Sequence, residues 1–459
     1  MALLAAFALI FLCAAPVVIL YSKGYIFDME QRRFVQTGAL FLKTVPQDVV
    51  LKIGPTIKTI SQQGILYNGI FVRNLVPKTY RVEVTSVQNP QVSWKKDLAV
   101  QPLVVTKETR IALPVPSLNP TPAAFATSTP VFQEADAGSG ALYSLDNKRI
   151  MRLDLVSGNQ TVLADLPGTG QARDPIVSVM PSANGDQAVV KTKSRTLFWF
   201  HGSFLDARTY LATFMKNERA SFSELSFRWH PSQDQTLAIL APSAGYLLDT
   251  QANTYRAFGT GKIIGLDQNG SGSYYVSADG SVMQSGEQNP KPVVSLAQWN
   301  NAKGFWNLYE IPDNRLLAYQ ENGALVLLDL QSRSAALLGS RVTAMRISQD
   351  QNRVAYADGS AVLVTFLRDV FDDVRYAKGQ TIRLSEEPGQ IKNLFFANET
   401  WYVAAIEQDQ IAIMEIDTRT PLNVWRMPIP KDATAPYVEN ASVYWTFGGT
   451  RFTGDLFAN

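Results

Sequence analysis

The chain has 459 residues, 46% hydrophobic and 18% charged, which is enough for two or three domains of ~100 to 200 residues each and excludes wholesale disorder. Its 42 Lys and Arg against 40 Asp and Glu leave a net charge of +2 without a basic block, so nucleic acid is excluded as a partner. The single cysteine, Cys13, excludes an intramolecular disulfide, a Cys-based zinc site and an iron-sulfur cluster, and two histidines, His201 and His230, leave little for imidazole chemistry.

From Ala2 to Tyr21 every residue is apolar, small or aromatic, and twenty helical residues rise ~30 Å, the thickness of a bilayer's hydrocarbon core. Residues 1–24 are therefore expected to form a single-pass transmembrane anchor, with Tyr21 and Tyr25 suited to the aromatic belt. A cleaved signal peptide is the alternative. It would need a basic n-region that is absent here, and its best cleavage site, Cys13-Ala14-Ala15, runs into Pro16. A lipoprotein signal would carry a small residue where Leu12 stands, and a buried core helix would be shorter. Lys23, Arg32 and Arg33 follow the helix and no cation precedes it, a count that places the bulk of the chain in the cytoplasm. A start site set too far downstream would hide a basic tail, and the expected location is the cell membrane with the bulk extracytoplasmic.

Residues 25–113 are expected to form a small β domain. The runs 34–43, 49–53, 65–72, 80–85 and 92–100 are rich in β-branched and aromatic residues and are separated by Gly, Pro, Asn and Asp. Arg81-Val82-Glu83-Val84 alternates polar with apolar residues, as does part of 103–113, so one sheet face packs while the other is wet. Tyr80 and Trp94 are expected to pack in the core.

Thr37-Gly38-Ala39-Leu40-Phe41-Leu42-Lys43-Thr44-Val45-Pro46, then Gln47-Asp48-Val49, and later Leu75-Val76-Pro77-Lys78-Thr79-Tyr80-Arg81-Val82 resemble a PEGA domain over residues 34–113. Gln47-Asp48-Val49 stands for that family's Glu-Gly-Ala, and Lys78 for its usual Gly. The resemblance implies a small β-sandwich of the kind found on bacterial cell surfaces, with no catalytic residues to carry over.

Residues 114–140 hold Pro114, Pro116, Pro120, Pro122 and Pro130 among Ala, Ser and Thr, and are expected to form a semi-rigid linker. From 141 to 459 a strand and polar turn recur, beginning at Val177, Phe227, Ile264, Leu308, Met345 and Leu394, with spacings suited to propeller blades of ~40 to 50 residues. A second recurrence marks a later strand, in Leu153-Asp154, Leu248-Asp249, Leu328-Asp329 and Met414-Glu415. Turns such as Trp229-His230-Pro231-Ser232-Gln233-Asp234 and Ile347-Ser348-Gln349-Asp350 resemble the hairpins of TolB-like propellers. The fold class expected is all-β: the anchor helix, the sandwich, then a β-propeller of about seven blades, six or eight being alternatives. Residues 441–447 are expected to supply the inner strand for outer strands in 141–163, and the distal residues 455–459 are expected to be dispensable.

The chemical motifs are sparse. Asp267, Asn269, Ser271 and Gly272 follow a calcium-loop pattern, but Ala278 occupies the place of the bidentate Glu, so a hairpin turn is expected. His230 beside Trp229 reads as a structural turn residue, and Asp369, Asp372 and Asp373 as a solvated inter-strand loop. No catalytic, cofactor-binding or metal-binding residue is assigned, no cofactor is expected, and the binding residues are unknown. The reading is a membrane-anchored extracytoplasmic binding or scaffolding protein of the bacterial cell envelope. It is not an enzyme, the membrane is engaged through the N-terminal helix, and the propeller presents a surface to an envelope protein or glycan. The alternative is an envelope hydrolase using carboxylates on propeller loops.

Overall fold

The computed structural model describes residues 2–29, 32–60, 69–115, 118, 121–122, 131–136, 141–146, 149–154, 160–165, 176–182, 186–200, 202–229, 235–268, 274–285, 290–299, 304–359, 361–371, 373–385, 391–429, 434–439, 441–447 and 450–457. The chain opens with helix α1 (Ala2–Ser22), whose backbone is helical throughout and which carries Pro16 in its interior. Its described side chains are those of residues 11, 12 and 14–22, fewer than the ~20 a crossing requires. Among the described residues no helix is long and apolar enough to cross a membrane, so the expected transmembrane span is not found there.

A hairpin, β1 (Tyr25–Asp28) with β2 (Arg33–Gln36), links α1 to the small domain. That domain stacks two sheets. In one, β3 (Gly38–Val45) lies between β6 (Ile70–Leu75) and β9 (Val105–Ala112), parallel to the latter. In the other, the order is β5 (Thr56–Ile60), β4 (Val49–Ile53), β7 (Thr79–Ser86) and β8 (Ser93–Ala99). Alternate residues of both sheets, among them Leu40, Leu42, Leu51, Val82, Val84 and Trp94, fill the space between them. The runs 49–53, 80–85 and 92–100 coincide with β4, β7 and β8, the run 34–43 is divided between β2 and β3, and residues 65–68 of the remaining run lie outside the described residues.

The described residues of the segment expected as a linker pair with or pack on the next domain instead. They include β10 (Thr121–Pro122) and β11 (Val131–Asp136), Leu118 is buried, and Pro114 bridges Phe457. Proline's extended geometry suits an edge strand, where a missing N–H faces no partner.

Four-stranded antiparallel groups follow in sequence. β11 pairs with β12 (Ala141–Asp146), then β13 (Arg149–Asp154) and β14 (Gln160–Asp165). The next comprises β15 (Ile176–Pro181), β16 (Ala188–Thr192), β17 (Thr196–Phe200) and β18 (Ser203–Asp206). After it come two short helices, α2 (Ala207–Tyr210), capped by Asp206, and α3 (Ala212–Glu218). The third group is β19 (Ser226–Trp229), β20 (Thr236–Leu240), β21 (Ala244–Asp249) and β22 (Thr254–Thr260).

β23 (Ile263–Asp267), β24 (Tyr274–Ser277), β25 (Ser281–Gln284) and β26 (Lys291–Ser295) form another group, and β27 (Trp306–Ile311), β28 (Arg315–Gln320), β29 (Gly323–Asp329) and the start of β30 (Ser334–Ile347) the next. β30 then runs on to pair with β31 (Arg353–Asp358), followed by β32 (Ala361–Phe366) and, after a small hairpin of β33 (Val370–Phe371) and β34 (Arg375–Tyr376), β35 (Thr381–Arg383). Finally come β36 (Asn393–Ala397) to β39 (Val424–Pro428), through β37 (Tyr402–Ile406) and β38 (Gln410–Glu415), and then β40 (Thr434–Glu439), β41 (Ser442–Phe447) and β42 (Thr450–Asp455).

First strands pack beside first strands: β11 against β15, β15 against β19 and β36 against β40, while β40 touches β11, closing the ring. This is a β-propeller architecture. The manner of closure differs from the sequence expectation. β41 lies between β40 and β42 in its own sheet, and β12 to β14 obtain their first strand from β11. The outer edge of the last sheet is completed by β10, which pairs with β42 and laces the two ends of the domain together.

Candidate functional site at the junction of the two β domains

The sandwich sits on the β36–β39 group, and the densest charge cluster among the described residues lies between them. On β8, Trp94, Lys96 and Leu98 share the face turned inward. Lys96 is 0% exposed, and its ammonium reaches Glu415 at 3.1 Å, Asp417 at 3.5 Å and the carbonyl of Arg419 at 2.9 Å. The indole N–H of Trp94 donates to Glu415 Oε1 at 2.8 Å. Asn423 donates to the other Glu415 oxygen at 2.7 Å and exchanges hydrogen bonds with the main chain of Lys95. On β9, Glu108 accepts from the guanidinium of Arg419, which also grips Asp417. Thr109 donates twice to Asp373 Oδ2, at 2.7 and 2.9 Å, and the Tyr402 hydroxyl bridges Arg110 and Ala112, donating to the carbonyl of one and accepting from the N–H of the other.

Four carboxylates, Glu108, Asp373, Glu415 and Asp417, face three cations, Lys96, Arg110 and Arg419. Burial, reinforced by the neighbouring carboxylates, outweighs Arg419 and pushes the Glu108 carboxyl up to about 7. Burial lowers the Arg110 guanidinium to about 10, and that group stacks 3.0 Å above the centre of the Trp401 ring. Burial works against the charge on Arg419 too, but its bonds to Asp417 and the charge of Glu108 hold it above its ordinary value. The space left among these groups is ≈ 10 Å³, about one water molecule, so the site is a clasp with no room for a substrate.

Glu415 stands at a position that caps a turn in two other groups. In the β21 and β29 strands the last residue is Asp249 or Asp329, paired with the first residue of the preceding strand, and each carboxylate caps the following turn. In β38, Glu415 holds the same register against Tyr402 of β37, yet its longer side chain is turned to Trp94 and Lys96 of the sandwich. The position that caps a turn at Asp249 and Asp329 here joins the two domains. Beside Asp249 and Asp329, the Glu at this position was one available signal.

The acidic stretch singled out in sequence divides. Asp373 docks the sandwich through Thr109, Asp369 accepts from the backbone N–H of Lys378, and Asp372 lies outside the described residues. Trp94 is in the core as expected and has the inter-domain bond besides; Tyr80 is half-buried beside Lys78. His201, His230, Asn269, Ser271 and Gly272 lie outside the described residues, while Asp267 ends β23 and is buried.

Because the native state raises the Glu108 carboxyl, the folded chain keeps a proton that the unfolded chain releases near the ordinary 4.5. The stabilisation is fully present below that value and is lost as pH rises through about 7, by roughly 3 kcal/mol in all. Denaturant unfolding followed from acidic to mildly alkaline pH should show this decline, and Glu108→Gln should flatten it. An equal decline in both proteins would remove Glu108 from the account.

No family model matches the chain, and no curated protein matches it. The resemblances to PEGA and TolB-like domains remain at the level of their motifs. Among solved structures the chain is similar to the computationally designed Ika8 protein, 16% identical, with 74% of this chain and 98% of that one covered at a TM-score of 0.43. It is similar to Saccharomyces cerevisiae Sqt1, 12% identical, covering 75% and 99% at 0.43. It is also similar to the β-propeller domain of Myceliophteria thermophila Cps50 (Swd1), 13% identical, covering 74% and 99% at 0.41. Likeness at this level carries no argument about ligand or partner.

Proposed function

We propose that the chain is a membrane-anchored, extracytoplasmic scaffold of the bacterial cell envelope, in which α1 is the anchor, the sandwich is a fixed mount and the ring presents a surface to a protein or glycan partner. The observation that supports this reading is the clasp: its charges are spent on joining two β domains, so the pair is held as one rigid carrier. The four-stranded groups number eight among the described residues, and we read the ring as eight-bladed in place of the expected seven. The same reading takes the sandwich as PEGA-like, the ring as TolB-like and the protein as non-enzymatic.

The full chain, reconstituted in lipid nanodiscs, is expected to show saturable binding to an envelope protein or glycan of its source without consuming it. Protease added to intact cells should remove the ring. Turnover of an envelope polymer that is abolished by Ala at Asp369, Asp372 and Asp373 would replace this reading by the hydrolase, and protection of the ring equal to that of a cytosolic control would overturn the orientation.

A further inference from the structure

Where β3 begins, three segments meet at one turn. α1 ends at Ser22, and Gly24, at φ +79°, turns the chain into β1. The carbonyl of Gly24 accepts from both the N–H and the hydroxyl of Thr37, at 2.8 and 2.9 Å. The carbonyl of Thr37 in turn accepts from the N–H of Leu103 at 2.9 Å. The helix end, the β1–β2 hairpin and the loop before β9 are thereby tied together by main-chain bonds.

The side chains these segments present are apolar and uncovered. Phe27 and Phe34 stand opposite each other in the hairpin, edge to face at 5.3 Å, and both are exposed. Met29 at the hairpin tip is 80% exposed, and Leu103 is 67% exposed, with Val104 beside it. Leu103 is also held at φ +59°, a backbone region that a bulky apolar residue occupies only at a cost. The charges are sorted. Lys23, Arg32 and Arg33 are exposed and Asp28 is turned inward and 6% exposed, while Glu30 lies outside the described residues.

We infer that this collar is a second membrane contact: Phe27, Met29, Phe34 and Leu103 seat in the headgroup region of an anionic lipid leaflet, while Lys23, Arg32 and Arg33 meet its phosphates. Two observations choose lipid as the occupant. The apolar surface is continuous with the exposed, apolar side of α1, where Val17, Val18 and Tyr21 stand uncovered, and the rim has the charge that complements an anionic surface. The inference rests on the reading of α1 as an anchor and deepens it. A helix alone leaves the sandwich free to swivel, whereas a seated collar sets its tilt and, through the clasp, the direction in which the ring faces.

The test uses the full chain with Cys13→Ser and a single fluorophore at Leu103→Cys, at Met29→Cys or, as a control on the ring, at the exposed Leu337→Cys. The vesicles are phosphatidylcholine with a minor fraction of phosphatidylglycerol, and the quencher is lipid brominated near the headgroup. Co-flotation with vesicles reports the anchor; quenching reports the collar. The expected result is co-flotation of all three, with quenching at positions 103 and 29 several-fold stronger than at 337, and loss of that excess in Phe27→Ser/Phe34→Ser protein of unchanged thermal midpoint. Co-flotation with equal quenching at all three positions would overturn the collar and leave the anchor standing. Failure to co-float would overturn both. Label-to-label energy transfer between chains in place of lipid quenching would assign the face to a second copy and also overturn the inference.

Discussion

Lys96→Met is expected to cost about 3 to 5 kcal/mol of stability, because it removes one of three cations from a buried cluster that already holds four carboxylates. Met fills nearly the same volume, so the loss is electrostatic: Glu415 and Asp417 are left facing each other with Arg419 as the remaining close partner. Glu415→Gln added to Lys96→Met should recover most of the loss. It removes the stranded charge, while the amide oxygen still accepts from the indole of Trp94. Denaturant unfolding of the two single variants and the double variant measures the coupling directly. A Lys96→Met protein within about 1 kcal/mol of the wild type would mean that the clasp does not hold the two domains together.

Deleting residues 437–459 is expected to leave the protein insoluble. The cut removes β41 and β42 outright, strips β10 of its partner and takes away the buried Val443 and Trp445. The structure extends the prediction to the last few residues, which the sequence suggested were dispensable. Leu456 and Phe457 are buried, and Phe457 packs 5.1 Å from the Tyr402 ring and bridges Pro114. Phe457→Ala alone should therefore cost about 3 to 5 kcal/mol. A thermal midpoint unchanged by removal of residues 455–459 would show that the ring closes without them.

The parts of the fold legible in sequence are those that obey a local rule. The six strand-turn starts between Val177 and Leu394 fall in β15, β19, β23, β27, β30 and β36, the first strands of their groups, since a buried strand followed by an Asp- or Asn-rich turn announces itself. β11 and β40 were missed. The first is embedded in a Pro- and Ser/Thr-rich stretch, and Thr-Ala-Pro-Tyr-Val-Glu in β40 carries no such turn. The clasp was illegible for a different reason. Its partners lie 311 and 321 positions apart, and a pairing at that distance leaves no periodic trace. Beside Glu415, a second hint was present: Lys96 occupies an apolar beat between Trp94 and Leu98, where a lysine needs a buried counter-ion.

The fourteen-residue strand β30 serves two neighbouring groups in succession, pairing first with β29 and then with β31. One joint earlier, β23 pairs in parallel with β27, where Gly265 admits Trp306 so closely that a Cβ would stand 2.5 Å from the Trp306 Cβ and 2.9 Å from its carbonyl oxygen. Residues 263–383 are thus one sheet of continuous main-chain hydrogen bonds, whereas among the described residues no strand ladder joins the other groups to one another. Mechanically the ring is a stiff arc closed by softer joints. Torque entering from the sandwich arrives at β36–β39, just past the end of the arc, so the ring flexes there and on toward β11 while its far side turns as a single lever.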